Sequence, residues 1–275
     1  MTAFSKMHGL GNDFMVINNL DRHWQPVTDQ IVAWADRHRG IGFDQLLVIE
    51  PATGSAAGAD FSYRIFNADG GEVEQCGNGL RCFARFVFDQ GLTRNTALCV
   101  ETVAGLYYPK LLDNGDVEVD MGEAQFAPEQ IPFMATAELL EYPLQVDDES
   151  FTIGAVAIGN PHAVLLVDDV DRAPVNKLGP LISKHPDFPN GVNVGFMQVV
   201  NRQQIRLRVF ERGVGETLAC GTGACAAAII ANRWGLTDRK IAIELRGGRL
   251  QIEWDGTTVR MAGPATHVYD GTIES

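Results

Sequence analysis

Two cysteines, Cys76 and Cys220, each stand directly before Gly-x-Gly, in E-Q-C-G-N-G and L-A-C-G-T-G. A free thiol titrates near ~8.5, so only a few per cent is thiolate at neutral pH. At a helix N-terminus the unsatisfied N–H groups and the macrodipole favour the anion and lower that value. The glycines let backbone amides come close to a ligand, and such amides hold an anion such as a carboxylate. Two of these turns set face to face would grip one carboxylate with a sulfur on each side of the carbon bearing it. One thiolate then takes the α-proton and the opposite thiol returns one. That is the chemistry of a racemase or epimerase that needs no cofactor.

The two segments belong to a longer repeat. R-I-F-N at 64–67 answers R-V-F-E at 208–211, Gly71-Glu72 answers Gly215-Glu216, and Gly91-Leu92-Thr93 answers Gly235-Leu236-Thr237, always 144 positions apart. Internal self-similarity of this kind marks duplicated structural units. More loosely, G-N-D-F-M-V-I at 11–17 resembles G-N-P-H-A-V-L-L-V at 159–167, a Gly-Asn turn beside a β-branched run. Segments 44–49 and 193–200 read as paired strands, while 61–66, 205–210, 117–122 and 250–254 alternate with period two, as half-buried strands do. After each cysteine the pattern changes to about four helical turns closing on Gly91 or Gly235, a glycine stop. The second of these segments is small and apolar after Gly223, which predicts a helix buried on all sides. The Pro- and acid-rich stretch from Ala124 to Asp148 is expected to connect two domains. The prediction is an α+β fold of two pseudo-symmetric domains, each a curved, mostly antiparallel sheet or barrel around a central helix with a cysteine at its start. Residues 1–120 form one half, joined by the tail 264–275, and residues 121–263 form the other, with the active site in the cleft between them.

Composition narrows the alternatives. At 275 residues the chain suits two modest domains. A net charge of −13 argues against a polyanion partner, so no nucleic acid is expected. No apolar run approaches the ~20 residues of a membrane span, and the N-terminus lacks the basic-then-apolar pattern of a secretory signal. Five cysteines, an odd number, favour free thiols in a reducing, cytoplasmic setting. Cys82, Cys99 and Cys225 read as small core hydrophobes. The spacings Cys76…Cys82 and Cys220…Cys225 are not those of zinc ligand pairs, so no metal is expected.

These motifs carry a resemblance to the diaminopimelate epimerase family. The residues that bear it are K-M-H-G-L-G-N-D-F at 6–14, G-F-D-Q-L at 42–46, F-N-A-D-G at 66–70 and Q-C-G-N-G at 75–79. The second half adds G-N-P-H at 159–162, N-V-G-F at 193–196, E-R-G-V-G-E-T at 211–217, A-C-G-T-G at 219–223 and H-V-Y-D-G at 267–271. The resemblance implies interconversion of LL- and meso-2,6-diaminoheptanedioate, in lysine and peptidoglycan precursor synthesis, with Cys76 and Cys220 as the acid–base pair and no cofactor. It implies substrate contacts from Asn12, Gln45, Asn67, Asn160, Asn193, Glu211 and Arg212 and from the backbone amides of Gly77, Asn78, Gly221 and Thr222. His162 and Glu211 fall where the family supports catalysis, and Tyr269 where it forms a homodimer interface.

The residue types suit that substrate, a double zwitterion. Arg212 can pair bidentately with a remote carboxylate, Glu211 can accept an ammonium group, and the amide side chains offer both donors and acceptors. A racemase for another amino acid such as proline stays open, although Glu211-Arg212 favours a substrate with a second charged end. A non-catalytic amino-acid binder needs no thiol pair. A pyridoxal phosphate enzyme is disfavoured, since of the five lysines only Lys6 lies in a motif.

Overall fold

Alternating apolar and polar residues make most of this chain strand, and two long apolar segments make the helices those strands pack against. The computed structural model describes residues 1–54, 58–73 and 76–274, so Glu74 and Gln75 of the first cysteine motif lie outside the described residues. Contacts divide the chain into two compact units, Met1–Asp120 together with the segment from Gly263 onward, and Met121–Ala262.

The first unit contains β1 (Thr2–Gly9), β2 (Asn12–Asn18), α1 (Thr28–Ala35), β3 (Gln45–Glu50), β4 (Phe61–Asn67), β5 (Glu72–Val73), α2 (Gly77–Asp89), β6 (Val100–Thr102), β7 (Gly105–Tyr107) and β8 (Lys110–Leu111). The strand β9 (Val117–Glu123) leads out of it. The second unit contains β10 (Tyr142–Val146), β11 (Glu149–Ala157), β12 (Pro161–Leu166), α3 (Val175–Ser183), β13 (Asn193–Asn201), β14 (Gln204–Glu211), β15 (Gly215–Thr217), α4 (Gly221–Arg233), β16 (Lys240–Leu245), β17 (Gly248–Trp254) and β18 (Thr258–Gly263). The last strand, β19 (Thr266–Ile273), returns to the first unit.

The two sheets follow one plan. Their orders are β19-β1-β2-β3-β4-β6-β7 and β10-β11-β12-β13-β14-β16-β17-β18. In both, the second-to-third step is antiparallel, the third-to-fourth parallel, and the fourth-to-fifth antiparallel. A short strand, β5 or β15, pairs with β4 or β14 just ahead of the cysteine. Register repeats too. Phe14 faces Gln45 as His162 faces Asn193, both pairs 148 positions apart.

Helix α4 packs against β11, β12, β13, β14, β16 and β17. It can be approached from all sides because Gly223 through Ala231 are small or aliphatic, and all nine are buried. Gly154 on β11 shows how close the approach is, since a Cβ there would sit 2.4 Å from Ile230. Helix α2 carries larger groups, with Phe83 against Phe61 and Tyr63 at ring-centroid distances of 6.0 and 5.2 Å. Truncating such a buried Phe costs about 3–5 kcal/mol. Both helices stop as glycine predicts. Gly91 and Gly235 take φ of 66° and 73°, and Leu92 N–H and Leu236 N–H bond back to Val87 O and Ala231 O, the paired bonds of a Schellman stop.

One expectation fails. The 124–148 stretch is no free connection, because Ile131, Phe133, Tyr142, Leu144 and Val146 join the core of the second unit and Tyr142–Val146 forms strand β10. Tyr142, Leu144 and Val146 are buried in strand alternation, but three positions are a short signal among the surrounding prolines and acids. Among the described residues, no helix is long and apolar enough to cross a membrane.

Candidate functional site

Each cysteine is the N-cap of its helix. Cys76 has φ −146° and ψ 119°, Cys220 has φ −119° and ψ 110°, and both are extended as a cap requires. Each sulfur accepts the N–H three residues on, Gly79 N or Gly223 N, at 3.4 Å. Leu80 N and Ala224 N are taken by the cysteine carbonyls. Of the N–H groups a helix start leaves over, this leaves the amides of Gly77 and Asn78, or of Gly221 and Thr222, without a partner in the helix. Gly223 leaves little room for a side chain, since a Cβ would meet Val209 at 3.0 Å and the Cys220 sulfur at 3.2 Å.

In the first unit the hairpin turn at Leu10 and Gly11, both with positive φ, delivers Asn12 to the helix start. The Cys76 thiol donates to Asn12 Oδ1 at 3.7 Å, and Asn78 Nδ2 donates to the same oxygen at 3.2 Å. Gln45 opens β3 and Asn67 closes β4. They are register partners, joined by a 2.9 Å bond from Gln45 Nε2 to Asn67 Oδ1. Gln45 Oε1 and Asn78 Oδ1 are buried without a protein partner.

The second unit gathers its residues at the same end of its sheet. Asn160 Oδ1 pairs with His162 Nε2 at 2.9 Å. Asn193 donates to Pro161 O at 3.1 Å and accepts Arg212 N at 2.9 Å. The Arg212 guanidinium donates to Asn190 O at 2.6 Å. Glu211 Oε1 accepts the Thr217 hydroxyl at 2.5 Å, and Thr222 Oγ1 lies 3.6 Å from the Cys220 sulfur.

Electrostatics modify the sequence-based picture of these thiols. Burial, then the Glu211 carboxylate, push the Cys220 thiol well above its ordinary value, although the Thr222 hydroxyl and Gly223 N–H pull it down. The helix start does lower the value as expected, but desolvation outweighs it. Cys220 therefore rests as the thiol, a proton donor. Burial first and Arg212 second lower His162 to about 3, so its imidazole is neutral at physiological pH. Burial drives Cys82 up to about 12, the value of an inert core thiol.

Sequence reasoning missed several contributors. Asp44 accepts from Asn12 Nδ2 at 3.0 Å. Thr217 braces Glu211. Bidentate ion pairs Arg64–Glu72 and Arg208–Glu216 clamp β5 to β4 and β15 to β14. The signal for these pairs was present, because all four residues fall within the 144-residue repeat. Tyr269 lies on the edge strand β19, 44% exposed, edge-on to Phe4 at 6.0 Å.

Comparison with known proteins agrees with this geometry. The family model described as diaminopimelate epimerase matches residues 4–127 and 154–268. Proteins named diaminopimelate epimerase from Nitrosomonas europaea and Chromobacterium violaceum are each 56% identical over 273 residues, covering 98% of this chain and 98% of theirs. Among solved structures, a hydroxyproline epimerase from Agrobacterium vitis superposes with a TM-score of 0.68 at 15% identity, over 98% of this chain and 91% of its own. A phenazine biosynthesis protein from Bacillus anthracis gives 0.69 at 15% identity, over 100% and 99%. At such low identity these two speak for the fold alone. The full-length relatives and the family model carry more, and by them the chain belongs to the diaminopimelate epimerase family.

Proposed function

We propose that this chain interconverts LL- and meso-2,6-diaminoheptanedioate without a cofactor, with Cys76 and Cys220 as the two acid–base groups. One observation carries the proposal: two cysteines cap two helices of equal length at equivalent places in a duplicated fold, each with two helix-start amides left over. Those four amides, of Gly77, Asn78, Gly221 and Thr222, suit the α-carboxylate and the negative charge that builds on it when Cα loses its proton. The chemistry requires the sulfurs to reach opposite faces of that carbon, one as thiolate and one as thiol. Cys220, held as thiol, donates in the direction where Cys76 abstracts, and the roles exchange for the other isomer. Arg212 is assigned a remote carboxylate, Glu211 an ammonium group, and Asn12, Gln45, Asn67, Asn160 and Asn193 the remaining polar groups of the substrate. Neutral His162 holds Asn160 in place.

The test is solvent deuterium entry at Cα with purified protein and no added cofactor. Deuterium should enter either isomer of diaminopimelate and not L-proline. Turnover that survives Cys76→Ala or Cys220→Ala would overturn the two-thiol mechanism. Mild oxidation should inactivate reversibly with loss of both thiols.

The homodimer is part of the same proposal. Val268 and Tyr269 are exposed on the edge strand β19, and sedimentation of Tyr269→Ala should show monomer where the parent shows dimer. All five cysteines are free thiols, which supports action in the reducing cytoplasm.

A further inference from the structure

Asn12 stands between the Cys76 sulfur and a charged cluster that the chemistry above does not use. In that cluster Asp13 pairs with Lys6 and with Arg37, whose two nitrogens reach it at 3.0 and 2.7 Å. Arg37 Nη2 also bonds Asp44 Oδ1 at 2.7 Å. Backbone bonds cross between the two acids, Asp13 N to Asp44 Oδ2 and Asp44 N to Asp13 Oδ1, each 3.1 Å. Asp44 is thereby held by a guanidinium and two backbone links. Its Oδ2 then accepts Asn12 Nδ2 at 3.0 Å.

An ionised carboxylate only accepts hydrogen bonds, so it can face only the NH2 end of an amide. With that end committed, Asn12 must turn its oxygen to Cys76 and Asn78. Asn78 in turn must offer its nitrogen, and its own oxygen is left buried without a protein partner. We propose that Asp44 is a positioning residue which locks a one-way relay, Asp44–Asn12–Asn78, and so presents an amide oxygen rather than an amide N–H to the Cys76 sulfur. An oxygen there accepts from the thiol and opposes the thiolate, whereas Gly79 N–H on the other side favours it. The second half does this differently. The positions equivalent to Asp44 and Phe14 are Val192 and His162, and Asn160 is held by the imidazole instead.

This inference rests on the reading of Cys76 as an acid–base group, but its test does not use turnover. The measurement is the pH dependence of Cys76 alkylation by iodoacetamide, followed by peptide mass spectrometry on the full chain. Among the described residues of its unit, the ionisable groups that interact electrostatically with Cys76 include Tyr63 on β4 and Cys82 on α2, with Arg81 beside Cys82. Tyr63 and Cys82 are held protonated by burial and Arg81 is permanently charged, so none titrates in the window. Asp44→Asn frees the Asn12 amide to swing its N–H to the sulfur, and the alkylation midpoint should fall by about 1–2 pH units, the size of one hydrogen bond to a charged group. In an Asn12→Ala background the same substitution should leave the midpoint where it is. No fall in the first case overturns the proposal, and an equal fall in both shows Asp44 acting through its charge alone, which also overturns it. Should Asp44→Asn not fold, a neutron structure of the parent protein decides. Deuterons on Asn12 directed at Asp44 support the relay, and deuterons directed at Cys76 refute it.

Discussion

Glu216→Gln and Glu72→Gln remove the same carboxylate from the same fork in the two halves, which makes each the other's control. The geometry is nearly identical: Arg208 to Glu216 at 2.7 and 2.9 Å, Arg64 to Glu72 at 2.7 and 2.7 Å. Burial differs. The Arg208 and Glu216 side chains are 14% and 7% exposed, against 31% and 33% for Arg64 and Glu72. An exposed pair contributes about 0.2–1 kcal/mol. Breaking a buried pair by removing one partner costs about 3–5 kcal/mol, because the remaining charge is stranded. Arg208 is partly relieved by the carbonyls of Val170, Asp171 and Ala173. Glutamine also keeps one acceptor, so the loss for Glu216→Gln should be about 2–3 kcal/mol. The halves need not unfold together, so the readout is native-state hydrogen exchange of peptides from α4 and α2. A difference of ~2 kcal/mol is about a 30-fold faster opening of α4 in one variant than of α2 in the other. Equal losses, or a larger loss at Glu72, would refute the argument that burial decides.

The pH arm of that experiment has a fixed sign. The Arg208 hydrogen bonds, opposed by burial and helped by Arg246, hold the Glu216 carboxyl below its ordinary value. A depressed carboxyl contributes stability above its unfolded value of ~4.3, and that contribution is lost as pH falls through the folded value. The gap between parent and Glu216→Gln should therefore close below about pH 4. A gap constant from pH 7 to 3 would mean the charge is not what stabilises.

Three further outcomes follow from the same geometry. Gly179→Ala on α3 would place a Cβ 2.6 Å from the Phe210 ring, so it should destabilise the second unit by about 1–3 kcal/mol in urea unfolding, where alanine at an open helix position gains about 1 kcal/mol. His162, lowered to about 3 by burial and Arg212, binds a proton unfolded but not folded between about pH 6.5 and its folded value, so stability should be lost as pH is lowered through that window, and His162→Gln should flatten the slope. Glu211 raises Cys220 second only to burial, so Glu211→Gln should lower the pH midpoint of Cys220 alkylation by iodoacetamide, and an unchanged midpoint would remove Glu211 as a cause.

Legibility in the sequence followed the length over which a pattern repeats. Strands β3, β4, β13 and β14 and both capped helices lay inside the repeat or in strong alternation, so their place, and their counterpart in the other half, could be read from residues alone. Strands β10 and β11 and helices α1 and α3 could not, because their apolar positions gain meaning only from long-range pairing. At the site, residue types announced Cys76, Cys220 and their glycines. Asp44 was invisible as a participant, since an aspartate before a strand usually faces water. Its role comes from Arg37 and the crossed backbone bonds to Asp13, which only the folded turn brings together.

The duplication separates two kinds of requirement. Where both halves must do the same thing, identity is kept: cysteine cap, glycine at the third helix position, Arg–Glu fork. Where they must differ, the substitutions fall around the sulfurs rather than on them. Asn67 is replaced by Glu211, which puts a carboxylate beside Cys220; Asp44 by Val192 and Phe14 by His162, which change how the flanking asparagine is held. Each change biases a proton or an amide without moving the cap. The two-thiol reaction proposed above needs one sulfur as thiol and one as thiolate at any instant, and matched caps with unmatched neighbours are what such a division of roles calls for.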